Sequence, residues 1–254
     1  QVNSIIEDSE GDLWYGTNNG ISLQESKTGK WHSYLSTFEN VQNSKNHIFT
    51  TLCEVSPGII WAGGYFSGIY QIDKRTSKTT YFTPALYARE DIRPDKYIRD
   101  IRKDSHGYIW TGGYYNLKRI NVQTKDIRLY HGLHSVTAII EKDDKSMWIG
   151  TATGLHLLDK ESGKFERIQL PVESTYIYSL YQTKKGSLYI GTSGSGVLIY
   201  DPQTKLFTHY YTGNCAMISN NIYTISSDED KEILLSTESG LTSYYPKQKT
   251  FYTV

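Results

Sequence analysis

The side chains with most to offer chemically are aromatic, and most of them are tyrosine: 22 Tyr against 7 Phe and 5 Trp in 254 residues. Tyr65, Phe66, Tyr114 and Tyr115 stand in short turns whose counterparts elsewhere hold small polar pairs such as Asn18-Asn19 and Ala152-Thr153. Tyr97 closes a long link, and Arg99, Tyr178 and Tyr223 fall in a polar column described below. An aromatic face matches the C–H face of a sugar ring, tyrosine adds a hydroxyl for hydrogen bonding, and a guanidinium grips carboxylates or hydroxyls. These eight residues form the candidate ligand-binding set. The same pattern also fits a contact with another domain, a contact with a second copy of the chain, or plain loop packing.

Other chemistry is poorly supported. The histidines (His32, His47, His106, His131, His134, His156 and His209) are dispersed, with no His-x-x-x-His pair on one element, so a metal centre is not expected. Gly194-Ser195-Gly196 belongs to a turn and lacks the strand–turn–helix context of a nucleophile elbow. Acidic pairs such as Asp143-Asp144 and the run Asp228-Glu229-Asp230 read as turns rather than cation sites. Cys53 occupies an apolar position of a repeat, and Cys215 lies in a distant loop, so no disulfide is expected. No motif asks for a cofactor.

The elements that must position these residues are announced by a repeat. Trp14-Tyr15-Gly16-Thr17, Trp61-Ala62-Gly63-Gly64, Trp110-Thr111-Gly112-Gly113, Trp148-Ile149-Gly150-Thr151, Tyr189-Ile190-Gly191-Thr192 and Leu234-Leu235-Ser236-Thr237 are spaced by 47, 49, 38, 41 and 45 residues. That is the length of a four-stranded propeller blade. Each copy reads as a short apolar strand, an acid- and glycine-bearing turn, the anchor strand, an x-x-Gly turn, a third strand, a polar hairpin and an outer strand with an aromatic near its end. The expected fold is all-β: a β-propeller domain or segment over residues 1–254, with repeats near 1–46, 47–96, 97–134, 135–175, 176–220 and 221–254. They would make six blades, or six of a seven-bladed ring. The large anchor ring should fill the wedge between blades, while Gly16, Gly63, Gly112, Gly150 and Gly191 let neighbouring sheets approach.

Aligning the copies places Asn3, Thr50, Arg99, Thr137, Tyr178 and Tyr223 in one variable column near the start of the first strand. It is flanked by apolar columns: Val2, Phe49, Ile98, Val136, Ile177 and Ile222 before it, and Ile5, Leu52, Ile101, Ile139, Leu180 and Ile225 after it. Such a column should face a central channel. If the first strand is innermost, the x-x-Gly turns and the blade-to-blade links share one face, where inserted residues such as Phe38, His47, Tyr87, Arg89, Asp91 and Arg93 also fall.

Composition excludes two partners. Lys plus Arg and Asp plus Glu are each 27, so no basic excess favours nucleic acid, and no apolar run is long enough to cross a membrane. No signal-peptide pattern is present.

The stretch from Ile5 to Ile21, reading Ile-x-x-Asp-x-x-Gly-x-Leu-Trp-x-Gly-Thr-x-x-Gly-Ile, resembles the two-component regulator propeller repeat. Ile101 to Trp110 repeats its first half, and Glu141 to Leu158 keeps the anchor but has Lys145 in place of the turn glycine. The resemblance implies the periplasmic sensor region of a hybrid histidine kinase of Bacteroides-like bacteria, detecting oligosaccharides released from polysaccharides. It further implies a neighbouring propeller or β-sandwich of the same chain as partner, and a kinase in another domain. Two other readings stay open: a propeller lyase or hydrolase similar to virginiamycin B lyase, for which a cluster of His47 and His134 with Asp91 or Asp100 would speak, and a protein-binding scaffold.

Overall fold

The computed structural model describes residues 1–34, 48–82 and 96–253. The described residues form six four-stranded antiparallel sheets of consecutive hairpins and contain no helix. The chain divides into two compact units, Gln1–Val136 and Thr137–Val254.

In the first unit, blade 1 comprises β1 (Val2–Glu7), β2 (Leu13–Thr17), β3 (Gly20–Gln24) and β4 (Trp31–Ser33). Blade 2 comprises β5 (Ile48–Ser56), β6 (Ile59–Tyr65), β7 (Gly68–Asp73) and β8 (Lys78–Tyr81). Blade 3 comprises β9 (Ile98–Lys103), β10 (Ile109–Gly113), β11 (Leu117–Ile120) and β12 (Ile127–Tyr130). The first strands lie side by side, β1 against β5 and β5 against β9, so they form the inner edge of this unit. Blades 4 to 6 repeat the plan: β13 (Val136–Asp143) to β16 (Phe165–Ile168), β17 (Ile177–Gln182) to β20 (Leu206–Tyr210), and β21 (Ile222–Asp228) to β24 (Thr250–Thr253). There β17 lies against β21.

The anchor column is core. Trp14, Trp61, Trp110, Trp148 and Tyr189 are buried, whereas Leu234 of blade 6 is only partly covered. In blades 1, 2, 4 and 5 the glycine two places on from the anchor receives the next blade. A Cβ on Gly63 would come within 2.5 Å of Ile98 Cγ2, and one on Gly150 within 2.8 Å of Ile177 Cγ2. Blade 1 leads its unit, and its Val2 and Ile5, equivalent to the buried Phe49 and Leu52, are exposed.

The aspartate of the repeat motif also gains a physical reason. Trp14 Nε1 donates to Asp8 Oδ2 and Trp110 Nε1 to Asp104 Oδ2, each at 2.8 Å. The other oxygen of each carboxylate accepts two backbone N–H groups of its turn, Glu10 and Asp12 in one and His106 and Tyr108 in the other. One buried acid therefore satisfies the indole and shapes the turn at once.

Blades 1 and 2 are tied at this end by Lys74, whose ammonium sits 2.6–2.7 Å from Asp8, Glu10 and Asp12. Hydrogen bonds from Lys74 and from the Ser26 backbone hold the Asp12 carboxyl at about 2. For Asp8, burial acts upward, but bonds from Lys74 and Trp14 outweigh it and bring that carboxyl below its usual value.

Candidate functional site

The polar column proves to be a column of β-bulges. In β1 the register passes from Val2↔Thr17 to Ser4↔Gly16, leaving Asn3 as the extra residue. Thr50, Arg99, Tyr178 and Tyr223 are skipped in the same way in blades 2, 3, 5 and 6. A bulge releases one residue from the ladder and re-aims its side chain. Two of these side chains clasp the next blade: Asn3 Nδ2 donates to Phe49 O at 3.1 Å, and Thr50 Oγ1 to Ile98 O at 2.9 Å. Thr137, the blade 4 member of the column, is buried. Tyr178 and Tyr223 instead meet edge to face, 5.2 Å between ring centroids, with Tyr176 a further 5.0 Å from Tyr178.

In the first unit the other six predicted residues come together at the opposite end of the strands from Lys74. The turn after β6 and the link before β9 are joined by an antiparallel bridge between Tyr65 and Tyr97. Tyr114 N donates to Tyr97 O at 3.3 Å, which brings the blade 3 turn to the same link. The rings follow the backbone. Tyr97 lies 4.5 Å from Phe66, 6.1 Å from Tyr114 and 6.3 Å from Tyr65, and Tyr114 lies 5.1 Å from Tyr115. The Arg99 guanidinium sits 5.8 Å from the centre of the Tyr65 ring, within cation–π range. Phe66, Tyr114 and Tyr115 are exposed at 48%, 58% and 41%, so this is a surface patch and not core. Phe66 also holds a left-handed backbone, φ 61°, a conformation that costs a bulky residue ~1–2 kcal/mol.

The eight predicted residues thus form two groups, six in the first unit and Tyr178 with Tyr223 in the second. Phe38, His47, Tyr87, Arg89, Asp91 and Arg93 lie outside the described residues. Of the other two residues of the cluster that would speak for a lyase, His134 is bonded to the Tyr115 carbonyl and Asp100 is paired with Arg102 at 3.1 Å. Cys53 and Cys215 are free thiols, and burial pushes Cys53 up to about 11, an inert value at neutral pH.

Sequence reasoning missed two features. One is a cleft of about 490 Å³ at the far end of blades 2 and 3, lined by Val55, Lys103, His106, Tyr108 and Asn121 among others, which holds none of the predicted residues. The second is the use of histidine: His134 Nδ1 donates to Tyr115 O at 2.5 Å, and His209 Nε2 to Ser195 O at 2.6 Å. Both bonds grip a turn carbonyl, a role that residue type and spacing give no sign of.

Six four-stranded blades, five of them with a bulged inner strand, define the chain as β-propeller in fold. Comparison with known proteins agrees. Residues 1–19 and 171–194 match the two component regulator propeller family. Histidine kinase P4 of Formosa agariphila is 26% identical over 96% of the chain and 19% of that protein. An extracellular domain ascribed to the hybrid two component system BT3049 of B. thetaiotaomicron superposes with a TM-score of 0.80 at 18% identity, over 100% of this chain and 34% of that one. Virginiamycin B lyase of Staphylococcus aureus superposes with a TM-score of 0.78 at 14% identity, over 100% of this chain and 84% of the lyase. At such identities the two structures speak for the fold alone. The chain spans about a fifth of the curated relative and a third of the two-component domain.

Proposed function

We propose that this chain is a ligand-sensing propeller in the periplasmic region of a hybrid two-component regulator. It recognises an oligosaccharide released from a polysaccharide and signals to a histidine kinase elsewhere in the full protein. The observation that carries this reading is the exposed aromatic patch of Tyr65, Phe66, Tyr97, Tyr114 and Tyr115 with Arg99 at its edge. Sugar rings stack on such faces, and the phenol and guanidinium groups supply the hydrogen bonds that fix orientation. Zero net charge suits a neutral or weakly charged glycan better than a polyanion. The histidine kinase relative and the two-component propeller repeats support the signalling context, in which a neighbouring propeller or sandwich domain, or a second copy of the chain, would receive the response. To signal, the ligand must bind one arrangement of the assembly more tightly than another.

The reading assigns binding and not catalysis. It is tested by calorimetry with maltohexaose, xylohexaose, mannohexaose and laminarihexaose, alongside product analysis of the same mixtures. One glycan should bind without turnover, and Tyr114→Ala should weaken it about tenfold, in line with the loss of one stacked ring. Turnover would favour the lyase-like alternative. Binding untouched by Tyr114→Ala would remove the aromatic patch from the site, and no binding across the panel would favour a protein partner.

A further inference from the structure

We infer that His134 is a positioning residue that holds the Tyr114-Tyr115 turn in place. The inference rests on the reading above, in which that turn meets ligand. The turn is built differently from its counterparts. Blades 1 and 4 place a glycine of strongly positive φ at this turn, Gly20 at 107° and Gly154 at 139°. Blade 3 has Asn116 there, and two bulky rings ahead of it. External bonds on both carbonyls take over. The link after β12 runs past the turn, and Ser135 N donates to Tyr114 O at 3.1 Å while His134 Nδ1 donates to Tyr115 O at 2.5 Å. Because a carbonyl only accepts, the bonded Nδ1 carries the proton. The link is itself anchored by Leu133, 1% exposed, directly before His134, and Ser135 takes a left-handed φ of 50° to aim its N–H.

The same device recurs with other side chains. Arg167 Nη2 donates to Thr153 O at 2.7 Å in blade 4, and His209 Nε2 to Ser195 O at 2.6 Å in blade 5. A basic side chain thus fastens the turn carbonyl in three successive blades, from the outer strand in blades 4 and 5 and from the link after β12 in blade 3. Only in blade 3 does the fastened turn carry aromatic rings. Rings fixed before a ligand arrives lose less freedom on binding, so a lost fastening should appear as lost affinity.

The test uses His134→Leu, which removes the donor, and His134→Asn, whose side-chain amide nitrogen can take the place of Nδ1. Hydrogen exchange by mass spectrometry should show faster exchange at residues 114–117 in His134→Leu, with the 152–155 turn unchanged, and near wild-type exchange in His134→Asn. The panel glycan bound by wild type should bind His134→Leu about five- to tenfold more weakly, with recovery in His134→Asn. Wild-type exchange at 114–117 in His134→Leu would overturn the inference. So would acceleration throughout blade 3, which marks a merely structural residue, or failure of His134→Asn to recover. If no glycan binds wild type, the proposed function fails, and the exchange comparison still decides what His134 does.

Discussion

The first unit, Gln1–Val136, and the second, Thr137–Val254, share one backbone plan and decorate it in opposite ways. In the first, aromatic side chains crowd the turns after the anchor strands of blades 2 and 3, and the bulge column holds Arg99 and the small clasping residues Asn3 and Thr50. In the second, those turns hold Ala152-Thr153 and Ser193-Gly194-Ser195, and the aromatic residues Tyr178 and Tyr223 occupy the bulge column. The indoles differ too. Trp14 and Trp110 donate to an aspartate of their own blade, whereas Trp148 donates to Gln182 of the following blade at 3.0 Å. The difference teaches that each blade fixes its backbone with a few repeat residues and leaves two places free to vary: the turn and the bulge. Recognition chemistry can collect at either without disturbing the frame.

The comparison is open to test, starting where the frame is common. Trp110→Ala should destabilise the chain by about 3–5 kcal/mol, because it empties a buried wedge and strips a donor from the buried Asp104. Urea unfolding measures this, and a cost below 1 kcal/mol would mean the anchors are not the common frame. Lys74→Met should cost about 2–3 kcal/mol, between the values for surface and buried ion pairs, since it leaves three carboxylates facing one another in the first unit.

Lys74→Met also has a pH signature. The folded pKa of Asp12 is depressed, so its contribution is present above the ordinary carboxylate value and is lost as pH falls through the folded value of about 2. The gap between wild type and Lys74→Met in denaturation curves should be full at pH 7 and shrink as pH falls from about 4 toward 2. A gap that widened in acid would reverse the assignment. The smallest effects separate the two bulge columns. Thr50→Val should cost about 1 kcal/mol for one inter-blade hydrogen bond, and Tyr178→Val about 0.5–1.5 kcal/mol for one ring contact. Of the two, only Tyr178→Val should alter the near-ultraviolet dichroism of the tyrosines.

Much of the frame was legible in the residues. The apolar strand followed by an acid- and glycine-bearing turn, read from each repeat, appears in β1 (Val2–Glu7) and β9 (Ile98–Lys103), which both end at such a turn. The bulges were legible in principle. Val2 and Ile5, Phe49 and Leu52, and Ile98 and Ile101 are each three residues apart, a spacing that a period of two sends to opposite faces. Phe49 and Leu52 both lie against Gly16, and Ile98 and Ile101 both against Gly63, which needs one extra residue between them. That the aromatic turns of blades 2 and 3 share a face with the links was legible from the repeat; the contact of Tyr97 with Tyr65 was not, because it depends on a bridge between residues 32 apart in sequence.

The sequence by itself determined that the chain repeats a four-stranded unit six times, which ring fills each wedge, which glycine admits the next blade and which residues break the pattern. These are local matters of side-chain size, turn conformation and alternation. Only the tertiary structure decided which pattern-breaking residues meet, that Asn3 and Thr50 are spent on the neighbouring blade, and that His134 and His209 serve turn carbonyls. Those outcomes depend on hydrogen bonds between segments distant in sequence, and the geometry of such bonds exists only once the blades have packed.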